Sequence, residues 1–435
     1  MNKIKVSIQT FGCQMNEYDT QVASGLLEHE GYQMASDEST ADVFIMNTCS
    51  VREHAEDKVY GRLGKLSKIK KTKPEMIIGL MGCMVEEHKE KLFKRFPALD
   101  LMVGTRNIKE LPALIEEVKQ NRRQVARIKQ DGISIEYTDQ IKRTGKFHAW
   151  LPIMTGCDKI CTYCIVPITR GAEVSMPARE VYREASRLVE EGVKWITLLG
   201  QNVNSYNGQG ANFPKLLEML CEINSLERIS FTTSHPHDAT EELYQAIARN
   251  PKISRRFHLP LQSGSDRVLK KMKRLHTYEE YKTKINLMRE LIPDISITTD
   301  IIAGFSGETE EDHKATLAAL SEIRYDGAYI FKYSIRTQTP AAKLPDDVPF
   351  PVKEVRNREL LELQKQIAEE SNRKQLGKIV SVFVEKANPR IQGQLVGRTD
   401  QEKTVAFPGS ESLIGQFRKV KLNSLHNETL IGELV

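Results

Sequence analysis

The chain has 435 residues, 40% of them apolar and 28% charged; at roughly 100 to 200 residues per domain this allows two to four domains and excludes a disordered chain. No apolar run approaches the roughly 18 to 20 residues of a membrane span, which excludes an integral membrane protein of the helical kind. A net charge of +5 from 63 basic and 58 acidic residues is too small to argue for nucleic acid on its own, and seven cysteines are too few, and odd in number, for a disulfide scaffold.

The run Met1 to Ile8 enters a strand pattern at once, without an apolar signal core, so a cytoplasmic protein with no membrane partner is expected. Strand patterns over Ile4–Thr10, Val43–Asn47, Met76–Met81 and Leu101–Gly104 alternate with helical ones over Asp19–Glu30, Glu53–Lys68 and Glu86–Phe96. Such βαβα alternation predicts an α/β domain with a parallel, Rossmann-like sheet, here assigned to residues 1–130. A polar stretch without periodicity follows and reads as a linker over 131–146.

A second alternating series has strand patterns at Trp150–Thr155, Trp195–Leu199, Ile229–Thr233, Phe257–Leu261, Ile295–Ile302 and Ala328–Tyr333, with long amphipathic helices such as Ala178–Glu191, Glu279–Leu291 and Glu310–Ile323 between them. Six units of this length predict a partial (β/α)6 barrel over 147–371 rather than a closed eightfold one. Prolines 340, 345, 349 and 351 precede a connecting helix from Val352 to about Lys374. From 372 to 435 short strand patterns are parted by Gly, Pro, Asn and Asp, which predicts a small all-β barrel. Its ten Lys and Arg against six Asp and Glu suit an RNA-binding module, or simply a mildly basic solubilising one.

Cys157, Cys161 and Cys164 follow the first barrel strand in Thr155-Gly156-Cys157-Asp158-Lys159-Ile160-Cys161-Thr162-Tyr163-Cys164. Three thiolates on one tight loop hold a four-iron cube with one iron left open to a small molecule. A structural zinc site would want a fourth Cys or His nearby, and none follows at suitable spacing. Cys13, Cys49 and Cys83 are about 35 residues apart, yet each directly follows a predicted strand and precedes a helix. Strand ends of a parallel sheet share one edge, so these three can converge on a second cofactor. The competing reading is that small cysteines settle at strand ends by packing alone. Cys221 has no such context and reads as core.

The aromatic Tyr163 within the cysteine loop, the three N-terminal cysteines and the terminal β barrel together resemble the radical S-adenosylmethionine methylthiotransferases over essentially the whole chain. Phe11-Gly12-Cys13-Gln14-Met15-Asn16-Glu17-Tyr18-Asp19 and Asn47-Thr48-Cys49-Ser50-Val51-Arg52-Glu53 are similar to the branch acting on isopentenyladenosine in tRNA. The threonylcarbamoyladenosine and ribosomal-protein branches differ after the first or second of these cysteines. Thr155-Gly156 departs from the commoner Glu-Gly before Cys157.

The resemblance implies two 4Fe-4S clusters, one on Cys13, Cys49 and Cys83 and one on Cys157, Cys161 and Cys164, together with S-adenosyl-L-methionine. It implies a tRNA anticodon stem-loop as substrate, a terminal RNA-binding TRAM domain, and electron and sulfur donor proteins as partners. Cofactor chemistry would carry the reaction, with no catalytic side chain beyond the cluster ligands. Tyr163 is expected against the adenine of S-adenosylmethionine, Gly200-Gln201-Asn202 at its methionine amino group although an acidic residue is commoner there, and Ser234 and Gln262 at its ribose or carboxylate. For these positions a polar loop residue satisfied by its own neighbours is the competing reading. Lys65, Lys68, Lys70, Lys71 and Lys73 form a charge run that fits RNA phosphates or a solvated helix end, and His235 and His258 read as structural.

Overall fold

Lys5–Phe11 (β1) and Val43–Thr48 (β3) are hydrogen-bonded neighbours in parallel register, Val6 opposite Val43 and Phe11 opposite Thr48. The structure, a computed structural model, describes residues 3–35, 40–50, 53–128, 135 and 137–435, without the side chains of 53–55. With β2 (Gln33–Met34), β4 (Ile77–Gly82), β5 (Leu101–Val103) and β6 (Val125–Arg127) these strands build one parallel sheet in the order β2-β1-β3-β4-β5-β6. Helices α1 (Gln14–His29), α2 (Glu53–Thr72), α3 (Cys83–His88), α4 (Lys91–Arg95) and α5 (Leu111–Asn121) connect them. One core packs Val22, Leu27, Leu114 and Ile115 against the sheet and the other packs Val59, Leu63, Leu66 and Leu92. Both faces are therefore covered, and β3 and β4, buried at every residue, carry continuous apolar runs over Val43–Met46 and Ile77–Met81.

The chain leaves β1 toward β2 on one side and then continues from β3 on the other, so the order reverses between β1 and β3. A crevice opens there at the carboxyl ends of the strands. Helix α1 begins at Gln14, five residues before its expected start, because Cys13 already serves as its N-cap. The expected helix Glu86–Phe96 is broken into α3 and α4, with Lys89 in the left-handed region at φ 48°. Strands β2 and β6 are two and three residues long, too short to leave a periodic signal.

Part of the expected linker, 131–134 and 136, lies outside the described residues. The rest is tied down: Ile135 is buried in the barrel core, Tyr137 Oη donates to the Pro152 carbonyl at 2.8 Å, and Gln21 Nε2 donates to Thr144 Oγ1 at 3.1 Å.

Six parallel strands follow, His148–Pro152, Trp195–Leu199, Arg228–Phe231, Arg256–His258, Ser296–Ala303 and Gly327–Lys332. They form two three-stranded sheets joined by a parallel bridge between Ile229 and Ile253. Among the described residues no ladder closes the sixth strand onto the first, so the barrel is partial. The first strand stops at Pro152 because Met154–Thr155 turns away to pair antiparallel with Val174–Ser175. Helix Phe350–Arg373 packs back on the barrel, where Gln364 Nε2 donates to the Tyr325 carbonyl at 2.9 Å.

The last segment is a closed five-stranded barrel, Ile379–Ala387, Gln394–Thr399, Thr404–Pro408, Phe417–His426 and Thr429–Leu434, filled by Val382, Val384, Leu395, Phe407, Val420 and Leu430. Its turn at 400–403 docks on the amino-terminal end of the partial barrel through Arg228 with Asp400, Arg256 with Glu402 at 3.1 Å and Lys403 with Asp326 at 2.9 Å. Among the described residues no helix is long and apolar enough to cross a membrane.

Candidate functional site

Cys13, Cys49 and Cys83 directly follow β1, β3 and β4, so the parallel sheet brings them to one edge at the crevice described above. Two asparagines lock that edge. Asn16 Oδ1 lies 3.3 Å from both the Cys13 N–H and its Sγ, Asn16 Nδ2 donates to Asn47 Oδ1 at 3.0 Å, and Asn47 Nδ2 donates back to the Asn16 carbonyl at 2.8 Å. Gly82 sits at φ 98°, and a Cβ there would come within 2.6 Å of the Thr48 carbonyl; only glycine lets β4 deliver Cys83 this close to β3.

A hydrogen bond from the neighbouring Cys49 thiol, reinforced by the charge of Arg170 against the cost of burial, brings the Cys13 thiol down to about 6. Burial pushes the Cys83 thiol up in spite of Arg170. Three sulfurs at one sheet edge, two of them buried and one half-buried, beside helix N-termini and one cation, suit thiolate ligation of an iron-sulfur cluster.

The second triad lies on the loop after the first barrel strand. Gly156, at φ 77°, leaves no room for a Cβ, which would stand 1.9 Å from the Ala172 carbonyl. Its N–H donates to Gln201 Oε1 at 2.5 Å, and the Cys157 N–H donates to the Gly171 carbonyl at 3.1 Å. Burial pushes the Cys157 and Cys164 thiols up to about 11 and about 12. Such thiols give up their protons to a metal rather than to water, as cluster ligands do.

A cavity of about 240 Å³ opens above this loop, lined by all three cysteines and by Tyr163, Gln201, Asn202, Ser234 and Gln262, among others. The barrel thus brings the expected cofactor positions to one place; Gly200 lies just behind them, where a Cβ would strike Met154. Ser234 Oγ and Asn202 Oδ1 are buried without a hydrogen-bond partner, and unsatisfied groups facing one cavity are what a polar ligand would engage. Thr233 and Gln262 have φ of 62° and 76°, a strained backbone at the ends of the third and fourth strands. The ring of Tyr163 packs edge-on against Phe305 at 6.4 Å.

Sequence reasoning missed two neighbours, Arg274 and Arg170, and read a third, His235, as structural. Arg274, buried, donates from Nη1 to Cys161 Sγ at 3.5 Å and from Nη2 to the Pro260 carbonyl at 2.8 Å. His235 Nε2 lies 3.9 Å from Cys161 Sγ; its Nδ1 accepts the His237 N–H at 3.1 Å, and burial keeps the ring neutral, so its remaining N–H faces the sulfur. Arg170 of the barrel reaches the other triad. Nothing in the spacing of these residues marks them, since loops far apart in sequence bring them in. His258 bonds Thr298 Oγ1 at 3.0 Å on the cavity wall.

The N-terminal domain closes one side of this cavity. Ser50 and Arg336 line it, and Arg336 pairs with Glu56 of α2 at 3.0 Å, beside Glu87 and His88 of α3. In the lysine run, Lys70 is engaged by Asp100 and the Ala98 carbonyl, while Lys65, Lys68 and Lys71 stand exposed. Cys221 is half-buried against the barrel core.

Three families match in chain order: Uncharacterized protein family UPF0004 over residues 5–104, the Radical SAM superfamily over 151–320 and the TRAM domain over 373–435. Among solved structures, the radical S-adenosylmethionine methyltransferase TsrM from Kitasatospora setae superposes with a TM-score of 0.55 at 15% identity, covering 78% of this chain and 77% of that one. The cobalamin-dependent S-adenosylmethionine radical enzyme OxsB gives 0.51 at 14% identity over 85% and 56%. Both likenesses are of fold. In sequence, a tRNA-2-methylthio-N(6)-dimethylallyladenosine synthase from Symbiobacterium thermophilum is 44% identical over 99% of this chain and 94% of its own length. One of the same name from Carboxydothermus hydrogenoformans is 43% identical over 98% of each. Two cysteine triads on a shared scaffold, the three matched domains and this identity along the whole chain show that it belongs to the tRNA-2-methylthio-N(6)-dimethylallyladenosine synthase family.

Proposed function

We propose that the chain converts N6-dimethylallyladenosine, the isopentenyladenosine beside the anticodon of tRNA, to its 2-methylthio derivative, using S-adenosylmethionine and two 4Fe-4S clusters. The observation that carries this reading is the pair of triads, one at a sheet crevice and one at a barrel mouth, in a chain 44% identical to enzymes of that name. When bound, the clusters and S-adenosylmethionine would supply radical chemistry at the C–H on carbon 2 of the adenine and the methylthio group that replaces its hydrogen. A C–H carbon with neither leaving group nor acidic proton gives side-chain acids and bases nothing to do.

The protein's own residues bind, orient and shield. Cys157, Cys161 and Cys164 would hold the radical cluster, with Arg274 and the neutral His235 donating toward Cys161. Asn202 and Ser234 each have an unpartnered buried oxygen for a polar ligand in the cavity, and Gln201 fixes the loop through Gly156. Tyr163 lines the same cavity beside Cys164 and suits the adenine of S-adenosylmethionine. Cys13, Cys49 and Cys83 would hold the second cluster on the sheet edge, with Ser50 the next residue reaching the cavity wall. We assign residues 1–130 to the second cluster, 147–371 to the radical chemistry and 372–435 to tRNA. Electron and sulfur donors would be separate proteins.

The test is an anaerobic incubation of reconstituted protein with reductant, S-adenosylmethionine and tRNA bearing the isopentenyl modification, read by nucleoside mass spectrometry. A methylthio product supports the assignment. S-adenosylmethionine cleavage without product on this tRNA would keep the radical chemistry and reject the substrate.

A further inference from the structure

The segment Arg170-Gly171-Ala172 touches both cysteine triads. Its Gly171 carbonyl accepts the N–H of Cys157, and the Ala172 carbonyl lies where a Cβ on Gly156 would be. Six residues after Cys164, at the end of the one-turn helix Val166–Thr169, the side chain of Arg170 turns the other way and enters the N-terminal domain. Its Nη2 donates to Asp19 Oδ2 of α1 at 2.7 Å, with only 4% and 7% of the two side chains exposed. The charge of the guanidinium acts on the Cys83 and Cys13 thiols, favouring the thiolate at each.

The N-terminal domain grips this segment by its backbone as well. Arg106 Nη2 donates to the Arg170 carbonyl at 2.8 Å and Thr105 Oγ1 to the Thr169 carbonyl at 3.1 Å. The Thr105 N–H in turn donates to Glu86 Oε1 at 2.9 Å, and Glu86 lies on the helix that begins with Cys83. A side chain at Gly171 would collide with the Arg106 guanidinium.

Burying a guanidinium is costly, and one carboxylate offsets only its charge. Asp19 takes one Nη of the guanidinium, and the cation's charge bears on the cysteines beside it. Around an iron-sulfur centre the levers on potential are net charge and hydrogen bonds to sulfur. We propose that Arg170 is a positioning residue of the N-terminal cluster: it raises that cluster's reduction potential and fixes the cluster relative to the radical site, with Asp19 setting the strength of both effects. The proposal rests on the two-cluster reading. A cation beside the cluster favours the reduced, more negative state; removing it lowers the potential, and removing the Asp19 carboxylate raises it.

The experiment uses the full chain with Cys157, Cys161 and Cys164 all changed to Ala, so that only the N-terminal cluster can form, and follows it by anaerobic redox titration with electron paramagnetic resonance. In that background R170Q should lower the reduced-to-oxidised ratio at a fixed poise by about tenfold, which for one electron is 59 mV. R170K should recover most of that loss, and D19N should move the potential upward. In the chain with both cysteine triads intact, R170K should cleave S-adenosylmethionine at the parent rate while forming less methylthio product per cleavage, because a compact ammonium keeps the charge without the planar guanidinium's fixed placement against Asp19. A cluster whose potential is the same in R170Q and parent overturns the proposal, leaving two-cluster chemistry intact. Absence of any cluster from the triple-alanine background overturns the two-cluster reading and the proposal together. If R170Q retains no cluster, D19N decides: an upward shift supports the proposal, and no shift or a downward one overturns it.

Discussion

Gln201 Oε1 accepts the backbone N–H of Gly156 at 2.5 Å, tying the end of the second barrel strand to the residue before the first cysteine of the barrel loop. The buried Gly156 N–H needs an acceptor here, and the amide oxygen supplies it. Q201A leaves the buried N–H without its partner, at about 1 kcal/mol. That is roughly a fivefold shift in the equilibrium between ordered and disordered loop. S-adenosylmethionine cleavage by Q201A is expected to fall to that extent, measured as 5'-deoxyadenosine formed at limiting S-adenosylmethionine. Q201E keeps the acceptor and should equal or exceed the parent.

The two triads sit on different domains, so their losses should separate. C161A is expected to abolish 5'-deoxyadenosine formation. C49A should retain cleavage, lose methylthio product, and hold about half the parent's iron, because the barrel triad remains complete. Iron analysis of the reconstituted proteins and the two product assays check this. Full product formation by C49A would remove the N-terminal triad from the reaction.

Much of this arrangement could be read from residue order. The strand-then-cysteine pattern at Cys13, Cys49 and Cys83 was legible because a parallel sheet turns sequence position into spatial position: every strand end lies on one edge. The barrel loop was legible because its three cysteines are local. Arg170, Arg274 and His235 were not, since each reaches a sulfur across a tertiary contact, and no spacing encodes the meeting of Arg170 with Asp19, 151 residues apart. The helix break at Lys89 was hidden for a different reason. Cys83–His88 and Lys91–Arg95 both have helical composition, and only the left-handed backbone at Lys89 separates them.

Gln262 holds φ at 76° while its backbone N–H donates to the Asp300 carbonyl at 2.8 Å and its carbonyl accepts the Ile302 N–H at 2.9 Å. A side chain in that region costs about 1 kcal/mol or more, and glycine would relieve it while adding a similar entropic cost in the unfolded chain. Q262G should therefore leave stability within about 1 kcal/mol of the parent. If Gln262 reaches the ligand, S-adenosylmethionine affinity should drop in the same protein. Denaturant melts paired with equilibrium binding separate the two effects, and unchanged binding would make Gln262 a turn residue only.

Asp326 precedes the sixth barrel strand, at the end of the barrel opposite the cysteines, and its Oδ1 accepts from Lys403 Nζ of the terminal barrel at 2.9 Å and from Ser371 Oγ at 2.5 Å. Its Oδ2 accepts the Ile297 N–H at 3.0 Å. Burial alone would push this carboxyl up, but Lys403 and the two donors outweigh it and hold it below the usual range. A depressed carboxylate stabilises the docked state fully above its ordinary pKa, about 3.9, and the contribution is lost only as pH falls through the lower docked value. Docking of the terminal barrel should thus be insensitive to pH from about 6 to 8 and loosen in acid below about 4. D326N removes the contribution at every pH and leaves the largely buried Lys403 ammonium without its counter-charge, held only by Asn372 Oδ1 at 2.9 Å and Ser371 Oγ at 3.3 Å, a loss of about 2 to 3 kcal/mol. Earlier melting of the terminal barrel and weaker tRNA binding are expected, with tRNA-independent S-adenosylmethionine cleavage unchanged. Limited proteolysis, filter binding and the cleavage assay on one preparation would show it; tRNA affinity that survives D326N would mean that the terminal barrel binds RNA without being held against the partial barrel.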